Sequence, residues 1–385
     1  MKKIKVAIIG CGRVAFHHAD MLRDVGEVKL VACCDLIEEK VKKLAAQFTD
    51  CRSYLNYHEM LQKEEVDLVT LATPSGAHYE HVKDILNNYK VNILLEKPMV
   101  LKVSEGIEIK ELAAQKGVQI FPVYQNRFNK SVQRVKSALA NGELGNIVLG
   151  TVRVRWCRPQ RYYDLANWRG TYSMDGGAYV NQGIHFIDIL RYLAGEIEEV
   201  NSCFAQLGAK PEAEDTGVSL LRFKSGALGQ LEITMAARPN DFEASVSIVA
   251  SKGLAVLGGW CTNKLVTFSP KPEDEAIFSE EVPIAYGFGH KEVYQRVAKV
   301  LLEGGEPPVE FEDGLNTIRL LHALYRSNEE KKWIKLDDNL ESFRLGERNE
   351  KLLAPYLIKF SPTYPPPFPK GTYSACGEGT EAQVL

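Results

Sequence analysis

The chain has 385 residues, 45% hydrophobic and 25% charged, with a formal net charge of −3. This length exceeds what one hydrophobic core usually serves, so two domains are expected. The near-neutral charge offers no basic footprint for nucleic acid or a membrane surface. No apolar run approaches the ~20 residues that cross a bilayer.

The start, "MKKIKVAIIGCGRVAF", has an apolar run too short and glycine-broken for a signal peptide, and reads as a buried strand entering a turn. Residues 4–9 are that strand, and "GCGRVAFHHADML" is a glycine turn opening a helix. "VKLVACCD" (28–35) is a second strand ending in an acid, followed by the helix "EEKVKKLAAQF". "VDLVTLATPS" (66–75) and "VNILLEKPM" (91–99) are the third and fourth strands, with the helix "GAHYEHVKDILNN" between them. The helix "SEGIEIKELAAQKG" leads to "VQIFPVY" (118–124). Strands alternating with helices predict a parallel sheet with right-handed crossovers.

After about residue 125 the rhythm changes. The helix "SVQRVKSALANGELG" precedes a long alternating strand, "IVLGTVRVRWCR", and then a helix around "YVNQGIHFIDIL" (179–190). Strands follow in series: "EVNSCFAQL", "DTGVSLLRFKSGALGQLEITMAA", "FEASVSIVAS", "GLAVLGG" and "KLVTFSP". This pattern predicts a mostly antiparallel sheet with helices on one face. Helices return at "HKEVYQRVAKVLLEGG" and "EDGLNTIRLLHALYRSNEE". The expected division is 1–124, 125–340, and a C-terminal extension over 341–385 whose Pro- and Gly-rich end is given no secondary structure.

The eight cysteines form no C-x-x-C pair and no zinc or disulfide framework, so they read as reduced thiols of a cytoplasmic protein.

Gly10-x-Gly12-x-x-Ala15 follows a strand, opens a helix at Arg13 and Val14, and precedes Asp35 at the end of the next strand. In that context it is a dinucleotide-binding turn of the Rossmann type. The glycines let the pyrophosphate approach the backbone, and the helix N-terminus supplies free N–H groups. Asp35 would accept from the adenosine ribose hydroxyls. Leu36 and Ile37 follow it, with no adjacent arginine to hold a 2′-phosphate, so NAD is expected rather than NADP.

His185 lies four residues after Asn181 and three before Asp188, near one helix face. The stretch alone leaves His185 as a metal ligand, a core histidine or a base. A metal would need further ligands there, and none is evident, so no metal is expected. His17, His18, His78 and His81 read by default as helix-surface residues.

The glycine turn, "ATPSGAHYEH" (72–81), "LLEKPM" (94–99) and "GG...NQGIHFID" occur in the order that resembles the glucose-fructose oxidoreductase/inositol dehydrogenase (Gfo/Idh/MocA) family, over about residues 1–330. The resemblance implies an α/β Rossmann domain with a parallel sheet, then an α+β domain with a large, mostly antiparallel open sheet. It implies that Lys97 and His185 flank a substrate hydroxyl. On that reading His185 would be the natural base and the Lys97 ammonium would stabilise the alkoxide. It places Thr73, Pro74, Ser75, His78, Glu96, Lys97, Gln125, Trp168 and Arg169 near the cofactor, with Glu96 positioning the lysine or touching the nicotinamide region. A cis bond before Pro98 is expected. Many family members carry aspartate where Asn181 stands, and asparagine suggests the sugar-nucleotide dehydrogenases of the family. An amide orients a hydroxyl but accepts no proton, so the base role falls on His185.

Arg153, Arg155, Arg158, Arg161 and Arg169 lie among Trp156, Tyr162, Tyr163 and Trp168. Arginine forks bind phosphate or carboxylate, and aromatics stack on sugar or base rings. Arg127, Arg155, Arg158, Tyr163 and Asn181 are therefore substrate candidates, with Lys97 and His185. Two alternatives stay open: Arg127 as a salt bridge between domains, and Arg153 and Arg155, sharing a strand face, as a solvated or interface surface. The expected activity is NAD-dependent oxidation of a ring hydroxyl, at C3, of a UDP-linked amino sugar or its uronate. A free-sugar or inositol dehydrogenase, a ketosugar reductase, and a non-catalytic NAD-binding regulator are the competing readings. A homo-oligomer, dimer or tetramer, is expected on family grounds.

Overall fold

The structure, a computed structural model, describes residues 3–358. The Pro- and Gly-rich end of the expected extension, with Cys376, lies outside the described residues. The chain forms two units, and the first opens as far as Val123.

That stretch alternates strand and helix: β1 (Ile4–Ile9), α1 (Arg13–Arg23), β2 (Val28–Cys34), α2 (Glu38–Ala45), β3 (Arg52–Tyr54), α3 (Tyr57–Lys63), β4 (Leu68–Leu71), α4 (His78–Asn88), β5 (Asn92–Leu95), α5 (Val103–Lys116) and β6 (Ile120–Pro122). All six strands are parallel, in the order β3-β2-β1-β4-β5-β6. This is the doubly wound order of dinucleotide-binding sheets. Every residue of β4 is buried, as expected for a strand covered on both faces. On α4 the buried residues are His78, His81, Val82, Ile85 and Leu86, an i, i+3, i+4, i+7, i+8 stripe. β3 and α3 were not expected. The strand is three residues, Arg-Ser-Tyr, without the apolar alternation that marks a strand.

Contrary to the helix-surface expectation, His17, His18, His78 and His81 are all buried. They lie on the inner stripes of α1 and α4, where each finds polar or aromatic partners.

The second unit begins at Tyr124. It holds α6 (Lys130–Ala140), β7 (Ile147–Arg155), α7 (Gln160–Asp164), a π-helical turn (Tyr179–Gly183) running into α8 (Ile184–Ala194), and β8 (Ile197–Ala205). Then come β9 (Thr216–Phe223), β10 (Leu228–Thr234), β11 (Glu243–Ala250), β12 (Gly253–Gly258), β13 (Lys264–Phe268) and α9 (Asp274–Ile277). β14 (Ile334–Lys335) completes the sheet order β13-β12-β11-β7-β10-β9-β8-β14, antiparallel throughout except for the β7–β10 pair. Helix α8 packs on one face. Gly150 of β7 makes room for it: a Cβ there would sit 2.6 Å from Leu190 Cδ1.

The chain does not keep to the expected boundary at 340. Helix α10 (Gly289–Glu303), from His290 on, packs with the first unit, as do residues 304–314. Helix α11 (Phe311–Glu330), from Leu315, and β14 return to the second. From Arg348 the chain, with α12 (Glu350–Leu353), is again in the first unit. Sequence periodicity finds α10 as a helix but carries no information on which sheet it covers.

Candidate active site

In the first unit the predicted residues gather at the C-terminal ends of four adjacent strands, β2, β1, β4 and β5, where open α/β sheets bind ligands. Gly10 follows β1 with φ +90°, and a Cβ there would lie 2.6 Å from the Ala72 carbonyl oxygen. Gly12 meets nothing within 4 Å, so space opens beside it. No side chain caps α1, which starts with exposed Arg13 and half-buried Val14, so its first N–H groups face that space. Asp35 orders the turn: Oδ2 accepts from Cys11 N–H at 2.7 Å and Oδ1 from Ile37 N–H at 2.8 Å. A carboxylate has about four acceptor sites, leaving capacity for two hydroxyls. These residues fit a dinucleotide.

Thr73, Pro74 and Ser75, half-buried, follow β4. His81 Nε2 lies 2.8 Å from the Tyr356 carbonyl, so it carries the proton, and Nδ1 accepts from Thr73 Oγ at 3.1 Å. His78 stands between two turns, with Nδ1 2.8 Å from the Pro98 carbonyl and Nε2 2.9 Å from the Thr73 carbonyl. Burial pushes its imidazole down to about 4, so near neutrality it has one proton for two acceptors. The Lys97–Pro98 bond is cis.

Glu96 is 5% exposed. Its Oε2 accepts from the Lys97 backbone N–H at 3.1 Å. Its Oε1 lies 2.8 Å from His18 Nε2 and 3.3 Å from His290 Nε2. His18 Nδ1 faces Tyr294 Oη at 3.0 Å, which reaches Thr70 Oγ1 at 2.8 Å. Burial opposes ionisation of Glu96, but the hydrogen bonds from His18 and His290 outweigh it and hold the carboxyl well below its usual range. Burial pushes His290 down to about 4, a neutral donor. Among the described residues this is the one set of metal-ligating groups close together, and its separations are those of hydrogen bonds. Lys97 is half-buried, while every other residue from Ile93 to Leu101 is buried.

In the second unit, Asn181 stands in the π-helical turn and His185 in the first turn of α8; both are half-buried. Asn181 Nδ2 donates to Asp175 Oδ1 at 2.6 Å, and Asp175 Oδ2 accepts from Gly170 N–H at 2.7 Å. The loop before Gly170 carries Trp168 and Arg169, whose Nη1 donates to Tyr162 Oη at 2.8 Å. Gln182 Nε2 reaches the same hydroxyl at 3.1 Å. Tyr163 is buried beside it. The side-chain oxygens of buried Gln125 and Asn126 accept no hydrogen bond among the described residues.

Arg127 is buried and grips Asp188 with two hydrogen bonds, of 2.7 and 2.6 Å, while Thr317 bonds the same carboxylate at 2.8 Å. The ion pair joins two residues of one unit, not two domains. Arg158 pairs with Asp241 at 2.9 Å and lies over the Trp156 and Tyr162 rings. Arg155 is elsewhere. Strand alternation turns it, with Arg153, to the face of β7 opposite α8, where it pairs with Glu232 at 2.6 Å and Glu243 at 3.3 Å.

His18, His290, Tyr294 and Asp175 escaped the sequence reading. His290 and Tyr294 are almost two hundred residues from Glu96. His18 offered one signal, its place on the inner stripe of α1.

Residues 4–124 match the family profile described as the oxidoreductase family, NAD-binding Rossmann fold, and residues 136–336 match its C-terminal alpha/beta domain. A myo-inositol 2-dehydrogenase of Thermotoga maritima is 25% identical over 87% of this chain and 99% of its own. The WlbA dehydrogenase of Bordetella pertussis, solved with NADH and UDP-GlcNAcA, superposes with a TM-score of 0.82 at 36% identity, covering 87% of this chain and 98% of that one. WlbA of Chromobacterium violaceum, solved with the same ligands, gives 0.79 at 33% identity over 88% and 97%. With its glycine turn, Asp35, the Glu96–Lys97–Pro98 turn and both family domains in place, this chain belongs to the Gfo/Idh/MocA family of NAD-binding oxidoreductases.

Proposed function

We propose that the protein is an NAD-dependent dehydrogenase that oxidises a ring hydroxyl, at C3, of a UDP-linked amino sugar or its uronate. The observation that carries the substrate is the likeness, at 36% identity and a TM-score of 0.82, to a dehydrogenase solved with UDP-GlcNAcA. Bound NAD supplies the acceptor for the hydride that leaves the carbinol carbon. His185 takes the hydroxyl proton, and the Lys97 ammonium donates to the oxygen as negative charge develops on it. A ketone, a reduced nicotinamide and a proton on His185 result. Gly10, Gly12, Arg13, Val14 and the start of α1 receive the pyrophosphate, and Asp35 the adenosine ribose, which disfavours a 2′-phosphate and selects NAD over NADP. Thr73, Pro74, Ser75 and Gln125, with Trp168 and Arg169, serve the rest of the cofactor. Arg158, Tyr163 and Asn181 serve the sugar nucleotide.

A second reading, oxidation of inositol or a free sugar, is favoured by the myo-inositol 2-dehydrogenase relative. Mixing NAD-loaded protein with UDP-GlcNAcA, UDP-N-acetylglucosamine, free N-acetylglucosamine and myo-inositol separates the two. Nicotinamide reduction with the UDP-sugars alone supports the first reading, and reduction with inositol or the free sugar overturns it.

The outer face of the second sheet exposes Leu149, Val218, Leu220, Leu228, Val249 and Val266. We propose that it associates with further copies of the chain. We propose a cytoplasmic location on the ground of the free thiols alone; no helix of the described residues is long and apolar enough to cross a membrane.

A further inference from the structure

From Met174 to Arg191 every residue is buried except Asn181 and His185. The two are four residues apart where the π-helical turn becomes α8, so they share the one face of this segment left open. Behind Asn181 stands Asp175, 3% exposed. Its carboxylate is 2.6 Å from Asn181 Nδ2, with its second oxygen on Gly170 N–H. An ionised carboxylate only accepts, so it fixes which end of the amide faces it. The nitrogen of Asn181 is turned to Asp175, and Oδ1 is turned away.

We infer that Asp175 is a positioning residue for His185, acting through Asn181. The Asn181 carbonyl accepts the ring N–H of His185. That sets the imidazole tautomer and leaves the other ring nitrogen as the proton acceptor. The charge-assisted bond at the far end of the amide polarises it and strengthens Oδ1 as an acceptor. The arrangement also explains why asparagine stands at 181. An aspartate there would put two carboxylates at hydrogen-bond distance, which cannot both ionise. With the acid at 175, position 181 needs a group that donates on one side and accepts on the other, and an amide does both. Because Asp175 also holds Gly170, the loop bearing Trp168 and Arg169 is fixed to the same carboxylate. The consequence for turnover rests on the base role proposed for His185; the consequence for the tautomer does not.

The test uses the full-length protein with isotope-labelled histidine. The ring nitrogen shifts of His185 are assigned by their loss in His185→Gln. The native protein is expected to show one tautomer. In Asp175→Asn a single amide oxygen faces two donors, Asn181 Nδ2 and Gly170 N–H. The tautomer should become mixed or reversed, and single-turnover hydride transfer from UDP-GlcNAcA should fall roughly 10- to 100-fold, the scale for partners that orient a histidine from behind. The exchange Asp175→Asn with Asn181→Asp reverses the polarity. The new amide donates to the new carboxylate and still accepts from Gly170, so tautomer and rate should recover. An unchanged tautomer and rate in Asp175→Asn overturns the inference. So does a double variant no better than the single one. If the native protein ignores UDP-GlcNAcA, the substrate reading falls, and the tautomers of the three proteins still decide the role of Asp175.

Discussion

His18 Nε2 lies 2.8 Å from Glu96 Oε1, which joins a histidine on the helix after the glycine turn to the acid that precedes Lys97. The carboxylate holds the Lys97 backbone with its other oxygen, so the cofactor turn and the lysine turn are set by one buried group. Glu96→Gln replaces an acceptor with a donor between His18, His290 and the Lys97 N–H. It should cost about 1.5–3 kcal/mol, the range for hydrogen bonds to a charged group, and slow hydride transfer more than it weakens NAD binding. Urea unfolding and a turnover assay measure the two. Native stability and native rate together would mean that the clamp does not set the lysine.

Gly10 adopts φ +90° with no room for a Cβ against the Ala72 carbonyl. Gly10→Ala should therefore cost about 1–3 kcal/mol in strain and displace the turn that faces the pyrophosphate. The expected result of an NAD titration is a loss of affinity of at least roughly tenfold, the equivalent of about 1.4 kcal/mol. Affinity equal to the native protein would remove the glycine turn from the cofactor site.

The Arg127–Asp188 pair is 4% and 1% exposed. Truncating one member leaves the other charged and buried, so Asp188→Ala should cost about 3–5 kcal/mol, and Arg127→Met with Asp188→Leu should recover part of it. If Arg127→Ala instead unfolds like the native protein but raises KM for the sugar nucleotide, the arginine is a substrate contact.

The parallel sheet was legible because its strands are continuous apolar runs punctuated by glycine and proline, and the helix at 179–190 because its apolar residues recur at helical spacing. The places of Gly10, Asp35 and Lys97 just beyond the ends of β1, β2 and β5 were legible too, because each follows its strand within one short stretch. What escaped depends on distance along the chain. The partners of Glu96 come from α1 and α10, and α10 returns to the first unit after seven of the eight strands of the second sheet. The partner of Arg127 was not legible for the same reason: Asp188 was visible as an acid on a helix, but it lies 61 residues away along the chain. For Arg155 the alternation of β7 was readable, and what it faced was not, because Glu232 and Glu243 belong to strands whose order in the sheet no local pattern gives.

Glu214 is buried against Gly177, where a Cβ would collide with its carboxylate. Burial pushes its carboxyl up to about 7 from 4.5, although Tyr325 and the Tyr179 N–H bond it. The folded state thus binds a proton more tightly than the unfolded chain. Stability is expected to fall as pH rises from 4.5 through about 7, by up to about 3 kcal/mol. Glu214→Gln mimics the protonated form and lacks this slope. His78 and His290, pushed down to about 4 from 6.5, act in the opposite sense, losing stability as pH falls through that window. They are common to both proteins and cancel in the comparison. Chemical unfolding of both proteins across this range should show the variant gaining on the native protein as pH rises. A constant difference would mean that Glu214 is ionised in the fold at the same pH as in the unfolded chain.

Lys97 and His185 are proposed to perform hydride chemistry on a UDP-linked sugar. The most direct test is single-turnover nicotinamide absorbance after NAD-loaded protein meets UDP-GlcNAcA, with Lys97→Met and His185→Gln alongside. The native protein should reduce its nicotinamide, with both variants slowed by roughly 100-fold or more, the scale for a lost general base, while still binding NAD. Full-rate reduction by either variant, or reduction by the native protein only with inositol or a free sugar, would contradict that proposal.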